Sequence, residues 1–365
     1  MPDVRGRGPE RDGEIFVTDH EPLLRTVSLT RHFRLGGYFS RQILHAVDDV
    51  SLTIGEREIV ALVGESGSGK STMARLLAMV YKPTSGDIVF EGRSLRALRS
   101  RRDQLAYRGK VPMVFQDPYS SINPAFRISH GIQRGIKLHR PEMSSRERQL
   151  EAERVLEAVG LVPARSMLSK YPFEMSGGQR QRVGFAQALA YRPKLVLADE
   201  PVSMLDVSIR IGVLNLMNEL REREGVSFLY ITHDIASARY IADRVLVMYA
   251  GHLVEEGPTE DVLQRPKHPY TQLLLSAVPD PKAPLSVGSS TDVGEPPKVV
   301  NPKEGCRFQP RCPYAIAECA SVTPALRPLG PVHLAACHVA RPDGAEAPAG
   351  ALAGRDGAPN GNVPA

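Results

Sequence analysis

Residues 59–79 read IVALVGESGSGKSTMARLLAM, and this stretch decides the fold. A short apolar run predicts a buried strand, the residues from Gly64 to Ser71 spell GxxxxGKS, and a helix-forming segment follows. Glycines in such a loop let backbone N–H groups turn toward an anion, and the next helix begins where its N–H groups and dipole favour negative charge. The stretch therefore predicts a loop that binds nucleotide phosphates.

Two side chains of this loop have predicted roles of their own. Lys70 can reach the outer phosphates, and the hydroxyl of Ser71 can bind magnesium. A Gly-rich surface loop is the alternative interpretation, but the strand before it and the helix after it argue against that. The residues expected to bind the nucleotide here are Gly64, Glu65, Ser66, Gly67, Ser68, Gly69, Lys70, Ser71 and Thr72.

The bulk composition is that of an ordinary globular chain. It has 365 residues, of which 42% are hydrophobic and 24% charged. No stretch approaches the roughly 18 consecutive apolar residues of a membrane span, and the first residues lack the apolar run of a secretory signal. We therefore expect a soluble, cytosolic chain that cannot cross a membrane by itself.

The net charge of +5 raises the question of nucleic acid. Several arginines cluster between residues 93 and 110, with Tyr107 as a potential stacking residue. The segment is polar and lies between two predicted strands, so a solvated basic surface is the favoured interpretation. No nucleic-acid partner is expected.

Strands and helices alternate through the rest of the chain. LVLAD (195–199), VSFLYIT (226–232) and RVLVMYA (244–250) are typical of buried strands. Between such strands, Ser144 and Glu147 predict a capping box for a helix that ends near Gly160. The pattern predicts a mostly parallel sheet with helices on its faces.

An ordered set of short motifs follows the phosphate loop. In chain order they are Gln116 in VFQDP, the tetrapeptide Ser176, Gly177, Gly178 and Gln179, the pair Asp199 and Glu200 in LVLADE, Asp206 in SMLD, and His233 in ITHD. This set resembles the ATP-binding cassette (ABC) ATPases over about residues 22–280. The resemblance implies an α/β P-loop NTPase with a mostly parallel sheet core, an N-terminal antiparallel β subdomain and a helical subdomain inserted at about 117–178.

The acidic pair carries the expected chemistry. Asp199 ends an apolar strand, so its carboxylate should emerge where the phosphates lie and hold Mg²⁺ together with Ser71 and Gln116. Glu200 is placed to polarise the attacking water, because phosphoryl transfer depends on positioning and charge stabilisation. The resemblance also assigns His233 to the terminal phosphate, where it keeps the water and Glu200 in register. Lys70, Gln116, Glu200 and His233 are therefore the predicted catalytic residues.

The SGGQ segment, residues 176–179, predicts a second anion site at the start of a helix. The chain has already used its phosphate loop, and in the family this second site faces the ATP of another subunit. Two cassettes would close head to tail over two ATP molecules, with Asp206 helping to join the halves. The partner would be a second copy or a paralogue, and the resemblance favours a heterodimer.

The adenine base needs an aromatic platform from the N-terminal strands. Phe33 lies where the family usually stacks an aromatic side chain, and Tyr38 and Phe39 remain alternatives.

Longer motifs narrow the resemblance. AVDDVSL, GESGSGKST, VFQDPYSSINP, HPYTQLLLSAVP and the tail GCRFQPRCPYAIAEC resemble the dipeptide/oligopeptide importer ATPases. This implies a peripheral ATPase on the cytoplasmic face of the membrane, docked on two permease subunits and fed by an extracytoplasmic binding protein. Phe173, Met175, Val202 and Met204 depart from the family pattern without removing a catalytic group. Oligosaccharides and metal chelates are alternative solutes.

Two other functions fit the sequence less well. An exporter or a soluble nucleic-acid machine would usually add membrane spans, coiled coils or a second cassette. A regulatory protein that does not hydrolyse ATP would not need Glu200, which is present.

The four cysteines are Cys306, Cys312, Cys319 and Cys337. In a cytosolic chain such a cluster indicates metal ligation before disulfides. The spacing lacks the short CxxC knuckle of zinc modules, whereas a [4Fe-4S] cluster tolerates wider spacing. A cluster is favoured, with zinc and a metal-free reduced module as alternatives. The Arg, Phe and Pro residues between the cysteines are expected to shield the site.

The predicted organisation has five parts: a disordered segment at 1–21, the nucleotide-binding domain at 22–280, a linker at 281–305, a four-cysteine module at 306–340 and a disordered tail at 341–365.

Overall fold

The computed structural model describes residues 21–36, 40–117, 122–276 and 299–342. Nearly all of the predicted disordered start and tail, and most of the predicted linker, lie outside the described residues. The alternative adenine platforms Tyr38 and Phe39 lie outside them as well.

A mixed eight-stranded sheet forms the centre of the fold. Its order is β12-β13-β11-β10-β4-β9-β8-β7. The strands from β10 to β7 along this order run parallel, and β10, β11, β13 and β12 pair antiparallel. The bounds are β4 Ile59–Val63, β7 Met113–Val114, β8 Leu195–Asp199, β9 Ser227–Thr232, β10 Arg244–Tyr249, β11 His252–Pro258, β12 Arg327–Pro328 and β13 Leu334–Ala335.

A second, antiparallel sheet comes from the first part of the chain. Its order is β2-β1-β5-β6, with β3 paired to β1. The bounds are β1 Leu24–Leu35, β2 Gln42–Val50, β3 Thr53–Ile54, β5 Ser85–Phe90 and β6 Arg93–Ser94. The expected combination of a mostly parallel core and an N-terminal antiparallel sheet is confirmed.

Helices connect the strands and cover the central sheet. Their bounds are α1 Lys70–Leu77, α2 Arg101–Lys110, α3 Ile128–His139, α4 Ser145–Ala158, α5 Ala164–Ser169, α6 Gly177–Leu189, α7 Val207–Glu224, α8 Ile235–Ile241, α9 Thr259–Gln264 and α10 Pro269–Ser276. The predicted capping box is present, since the Ser144 hydroxyl accepts the Glu147 N–H and the Glu147 carboxylate accepts the Ser144 N–H. Within the described residues, no helix is long and apolar enough to span a membrane.

The central sheet is buried on both faces, as the apolar run of β4 predicts. Ile59, Ala61 and Val63 enter a core cluster shared with α3, α4, α6 and α7. Val60 and Leu62 point to the other face, where a second cluster joins α1 to the antiparallel sheet. The phosphate loop therefore leaves a strand that is fixed on both sides.

The cysteine-containing segment continues the central sheet. Strand β13 pairs with β11, and the Ala336 N–H donates to the Val254 carbonyl at 2.8 Å. Beside this pairing, His333 Nε2 lies 2.7 Å from Glu255 Oε1, and both side chains are buried. The predicted domain boundaries stay a prediction, but strand pairing joins the last described segment to the nucleotide-binding part.

Candidate functional site

The phosphate loop joins β4 to α1 through two glycines whose surroundings leave no room for a Cβ. Gly64 has φ +151°, and a Cβ there would meet the Met248 carbonyl oxygen at 2.2 Å. Gly69 has φ +105°, and its Cβ would meet the Ala46 carbonyl oxygen at the same distance. Backbone from two other strands thus presses against the loop and holds its shape.

Lys70 folds back over the loop. Its Nζ donates to the carbonyl oxygens of Gly64 and Glu65, each at 2.7 Å, and lies 3.4 Å from Ser68 Oγ. The side chain is only 5% exposed. Burial lowers the pKa of Lys70, against the opposing charges of Glu200, Asp199 and Glu65. The loop therefore holds a buried ammonium group close to a set of carboxylates.

Ser71 and Asp199 form a pair at the start of α1. The hydroxyl of Ser71 donates to Asp199 Oδ1 at 3.0 Å. Asp199 is buried, and this burial raises its pKa, although the hydrogen bond from Ser71 opposes the rise. A hydroxyl and a carboxylate are oxygen donors of the kind that Mg²⁺ prefers, so these residues fit the expected ion.

Three adjacent strands bring Gln116, Glu200 and His233 together. Each residue follows the carboxyl end of its strand, namely β7, β8 and β9. Gln116 Nε2 donates to Glu200 Oε2 at 3.0 Å, and His233 Nδ1 lies 3.2 Å from Glu200 Oε1. In this arrangement Gln116 contacts the acidic side chain instead of the Ser71–Asp199 pair.

The SGGQ segment begins α6 with a second capping box. Ser176 Oγ accepts the Gln179 N–H at 3.2 Å, and Gln179 Oε1 accepts the Ser176 N–H at 3.1 Å. Ser176 is exposed, and so is Asp206 at the start of α7. Among the described residues, no hydrogen bond links this segment to the phosphate loop of the same chain.

The predicted aromatic residues have different surroundings. The guanidinium carbon of Arg31 lies 4.4 Å from the centre of the half-buried Phe33 ring, and Tyr81 contacts this ring edge-on. The role of Phe33 as the adenine platform stays a prediction. Tyr107 is buried, and its hydroxyl donates to the Leu77 carbonyl, so it cannot stack on a nucleic-acid base.

Sequence patterns missed two residues that contact the loop. The hydroxyl of Tyr270 accepts the Glu65 N–H at 2.8 Å. Arg311 contacts the Glu65 carboxylate with both terminal nitrogens, at 2.8 and 3.0 Å. Tyr270 belongs to the HPYT motif and Arg311 directly precedes Cys312, so both lie in segments with a recognisable sequence pattern. Arg311 stands 246 positions from Glu65 along the chain, however, and no local spacing connects them.

The four cysteines are free thiols. Burial, together with the charges of the other three thiols, raises the pKa of Cys312 to about 11. Tetrahedral zinc with bonds of about 2.3 Å needs sulfur atoms about 3.8 Å apart. Within the described part of the chain, no three of these sulfur atoms lie within 4.8 Å of one another. The thiols are therefore not arranged as a compact zinc site.

A different set of metal-type side chains lies between β1 and β2. His32 Nε2 and His45 Nδ1 contact the two carboxylate oxygens of Asp48, at 3.0 and 2.8 Å. Arg307 also binds this carboxylate. Burial acts to raise the pKa of Asp48, but the hydrogen bonds from His252, His45, Arg307 and His32 outweigh it and hold the pKa well below its usual range. A guanidinium already neutralises Asp48, so the group is a charge network.

Comparison with known proteins identifies the family of the chain. A family profile described as ABC transporter matches residues 47–203, and one described as oligopeptide/dipeptide transporter, C-terminal region, matches residues 254–319. An oligopeptide transport ATP-binding protein of Bacillus subtilis (strain 168) is 41% identical over 328 residues, which cover 88% of this chain and 99% of the relative. The chain belongs to the ABC transporter ATPases of the oligopeptide/dipeptide family.

Further relatives of this ABC ATPase agree with that assignment. A protein of Sinorhizobium fredii named a probable peptide ABC transporter ATP-binding protein is 44% identical over 328 residues, covering 88% of this chain and 91% of the relative. An ATP-binding cassette solved as a dimer in a post-hydrolysis state with ADP and phosphate is 30% identical, with a TM-score of 0.57. It covers 65% of this chain and 98% of the solved one.

Family membership confirms the expected fold, the expected enzyme activity and the expected nucleotide cofactor. The chain is an ATPase whose fold is that of the ABC cassettes, and its cofactors are ATP and Mg²⁺. Membership also implies that the cassette works as a dimer with membrane permease partners.

Proposed function

We propose that this chain is the ATP-hydrolysing subunit of an importer that takes up peptides of the dipeptide/oligopeptide class. The observation that carries the proposal is the convergence of Gln116 and His233 on the Glu200 carboxylate, beside the Ser71–Asp199 pair. Such an arrangement suits in-line attack of water on a terminal phosphate.

Each side chain has a separate task in this proposal. Glu200 accepts a proton from the attacking water, while Gln116 and His233 hold its carboxylate in place. Lys70 binds the outer phosphates, which would replace its present carbonyl partners. Mg²⁺ bound with ATP would neutralise phosphate charge, and Ser71 and Asp199, with Gln116, would hold it. Phe33 would stack on the adenine.

We assign residues 176–179 to the ATP of a partner cassette. Support comes from the exposed start of α6 and from exposed apolar side chains near Asp206, namely Met204, Val207 and Ile209. Exposed apolar side chains of this kind mark protein interfaces. The partner is a paralogue in our proposal, and a second copy of this chain is the alternative.

The permease would bind the helical region between Gln116 and Ser176. Phe173 is 70% exposed and stacks on Tyr171, and Phe126 is also exposed. We therefore place the chain at the cytoplasmic face of the membrane as a peripheral subunit, with an extracytoplasmic binding protein supplying the solute. Oligosaccharides and metal chelates stay as alternative solutes.

The four cysteines form a proposed [4Fe-4S] site, with zinc as the alternative. Cys306, Cys312, Cys319 and Cys337 are close enough to influence one another's charge. Anaerobic purification followed by iron and sulfide analysis tests this, and zinc without iron would reverse the assignment.

Replacing Glu200 tests the mechanism. In Glu200→Gln, ATP hydrolysis should fall by at least about 100-fold, because the proton acceptor is lost, while ATP still binds and favours the closed dimer. Glu219→Gln, an exposed change on α7, is the matched control and should keep full activity. Undiminished turnover in Glu200→Gln would contradict the mechanism.

Uptake by reconstituted vesicles tests the solute. Vesicles that contain this chain, its partner and their permeases should import a labelled dipeptide when ATP is present, and should not do so with Glu200→Gln. Uptake of an oligosaccharide or a metal chelate in place of the peptide would select one of the alternatives.

A further inference from the structure

The segment CRFQPRC, residues 306–312, contacts the ATP site with its three largest side chains. Arg307 and Arg311 bind carboxylates beside the phosphate loop, and Phe308 is buried against Tyr249 and Tyr270. The sequence predicts that these residues shield the cysteines. In the structure their side chains contact the nucleotide-binding part, and the shielding role stays a prediction.

Arg311 binds Glu65 of the phosphate loop in a bidentate geometry. Its two terminal nitrogens lie 2.8 and 3.0 Å from the two carboxylate oxygens. The Arg311 side chain is 11% exposed and that of Glu65 25% exposed. A planar guanidinium paired in this way fixes both the position and the orientation of the carboxylate.

Glu65 makes polar contacts with three residues, and the third of these is Lys70. Its N–H donates to the Tyr270 hydroxyl, its carboxylate binds Arg311, and its carbonyl oxygen accepts from Lys70 Nζ. A shift of Arg311 would therefore move a residue that directly contacts the phosphate-binding lysine.

Arg307 contacts the residues that follow β10, next to the loop. Its guanidinium donates to the Ala250 carbonyl at 2.6 Å and binds Asp48. The next residue, Gly251, donates its N–H to the Ser68 carbonyl at 2.9 Å. Arg311 thus contacts the phosphate loop directly, and Arg307 is connected to it through residues 250–251.

The same segment is stiff and ends in two thiols. The Gln309 N–H donates to the Cys306 carbonyl at 3.0 Å, and the Cys312 N–H donates to the Gln309 carbonyl at 3.2 Å. The Cys306 N–H donates to the Cys319 carbonyl, which ties the segment to the third cysteine. A movement of the backbone at either cysteine would therefore be passed on to the backbone that carries Arg311.

We propose that Arg311 is a positioning residue of the ATP site, and that residues 306–312 couple the state of the Cys306 and Cys312 thiols to the affinity for ATP. Equilibrium coupling of this kind acts in both directions, and we expect ATP binding to lower the accessibility of the Cys312 thiol. Pairing with Arg311 also neutralises the Glu65 carboxylate, which would otherwise repel the triphosphate at short range.

A pair of charge changes tests the positioning role. Arg311→Gln should raise the Kd for ATP by about 10-fold, because Glu65 then faces the phosphates unpaired. Arg311→Lys keeps the positive charge but cannot form the bidentate pair with Glu65, so it should raise the Kd for ATP less. The double variant Arg311→Gln with Glu65→Gln should recover most of the loss, which a merely misfolded Arg311→Gln protein would not do.

Lys303→Gln is the matched control. It removes one exposed positive charge from the same region and should leave the Kd unchanged. An Arg311→Gln protein that is folded by circular dichroism and binds ATP as tightly as Lys303→Gln would overturn the positioning role.

Thiol labelling of the metal-free chain, in which the four cysteines are free thiols, tests the coupling and does not depend on any variant folding. Mass spectrometry would follow the rate of iodoacetamide alkylation at Cys312, with Cys337 as the internal reference. Saturating ATP should slow the reaction at Cys312 by about threefold relative to Cys337. Equal rates with and without ATP would overturn the coupling.

Discussion

At the scale of single residues, Glu200 has a backbone conformation that its type rarely adopts. Its φ is +48°, in the left-handed region. The hydrogen bond from its N–H to the Ile231 carbonyl at 2.9 Å helps to hold this conformation. Such strained residues cluster at functional sites. The order of the motifs predicted that Glu200 is catalytic, but no sequence pattern reports this φ, because neighbouring strands impose it.

The phosphate loop offers a test at the same scale. In Gly69→Ala the new Cβ would meet the Ala46 carbonyl oxygen at 2.2 Å. We expect a loss of about 2 kcal/mol in the free energy of unfolding and greatly weakened ATP binding, measured by denaturation and by nucleotide titration.

Gly225→Ala is the control for that change. Gly225 has φ +69° at the end of α7, and a Cβ there would meet nothing within 4 Å. It should cost only about 1 kcal/mol and leave ATP binding intact. Equal loss of ATP binding in both variants would show that general destabilisation, and not the shape of the loop, is responsible.

At the scale of elements, two helices begin with the same local structure. Helix α4 starts with the capping box of Ser144 and Glu147, and α6 starts with that of Ser176 and Gln179. The sequence predicted the first box from its spacing and predicted the second as an anion site from its glycines. The hydrogen bonds of a capping box look the same whether the helix start is only stabilised by them or also binds a ligand. Replacing the serine of each box therefore makes a controlled comparison.

Ser176→Ala and Ser144→Ala should each destabilise the chain by about 1 kcal/mol, because each removes one cap. Only Ser176→Ala should lower ATP hydrolysis, by about tenfold or more, since it also removes a hydrogen bond to a charged phosphate. In a dimer with distinguishable subunits, the loss should fall on the partner's phosphate loop. A loss confined to the mutated chain's own site would contradict the head-to-tail arrangement.

At the scale of the whole molecule, the main sheet and the order of the site residues could be predicted because strand and loop patterns are local. The contact between Arg311 and Glu65 and the pairing of β13 with β11 could not. Both join segments far apart in the sequence, and β13 is only two residues long, too short for an alternating pattern. The sequence therefore did not predict how residues 299–342 pack against the nucleotide-binding domain.

The buried His268 makes global stability depend on pH. Its Nδ1 accepts the Tyr270 N–H, and burial lowers its pKa to about 4 from 6.5, against the opposing charge of Glu255. A lowered histidine pKa means that the unfolded chain binds the proton more tightly, so stability is full above pH 6.5 and falls between pH 6.5 and 4. From pH 7.5 to 5.0 the loss should be about 2 kcal/mol.

Chemical denaturation at the two pH values checks this, with His268→Asn as the comparison. Asparagine can keep an acceptor for the Tyr270 N–H but does not titrate. The variant should therefore lose about 2 kcal/mol less than the unmodified chain. The same pH dependence in both proteins would rule out His268 as the source.

The pairing of β13 with β11 also determines what lies at the border of the central sheet. Without residues 327–336, β11 would present unpaired N–H and carbonyl groups, and the buried Glu255 would lose His333. An open edge of this kind is a template for pairing with another chain. The pairing of β13 therefore covers an edge through which two copies of the cassette could otherwise pair, whether or not the four cysteines bind a metal.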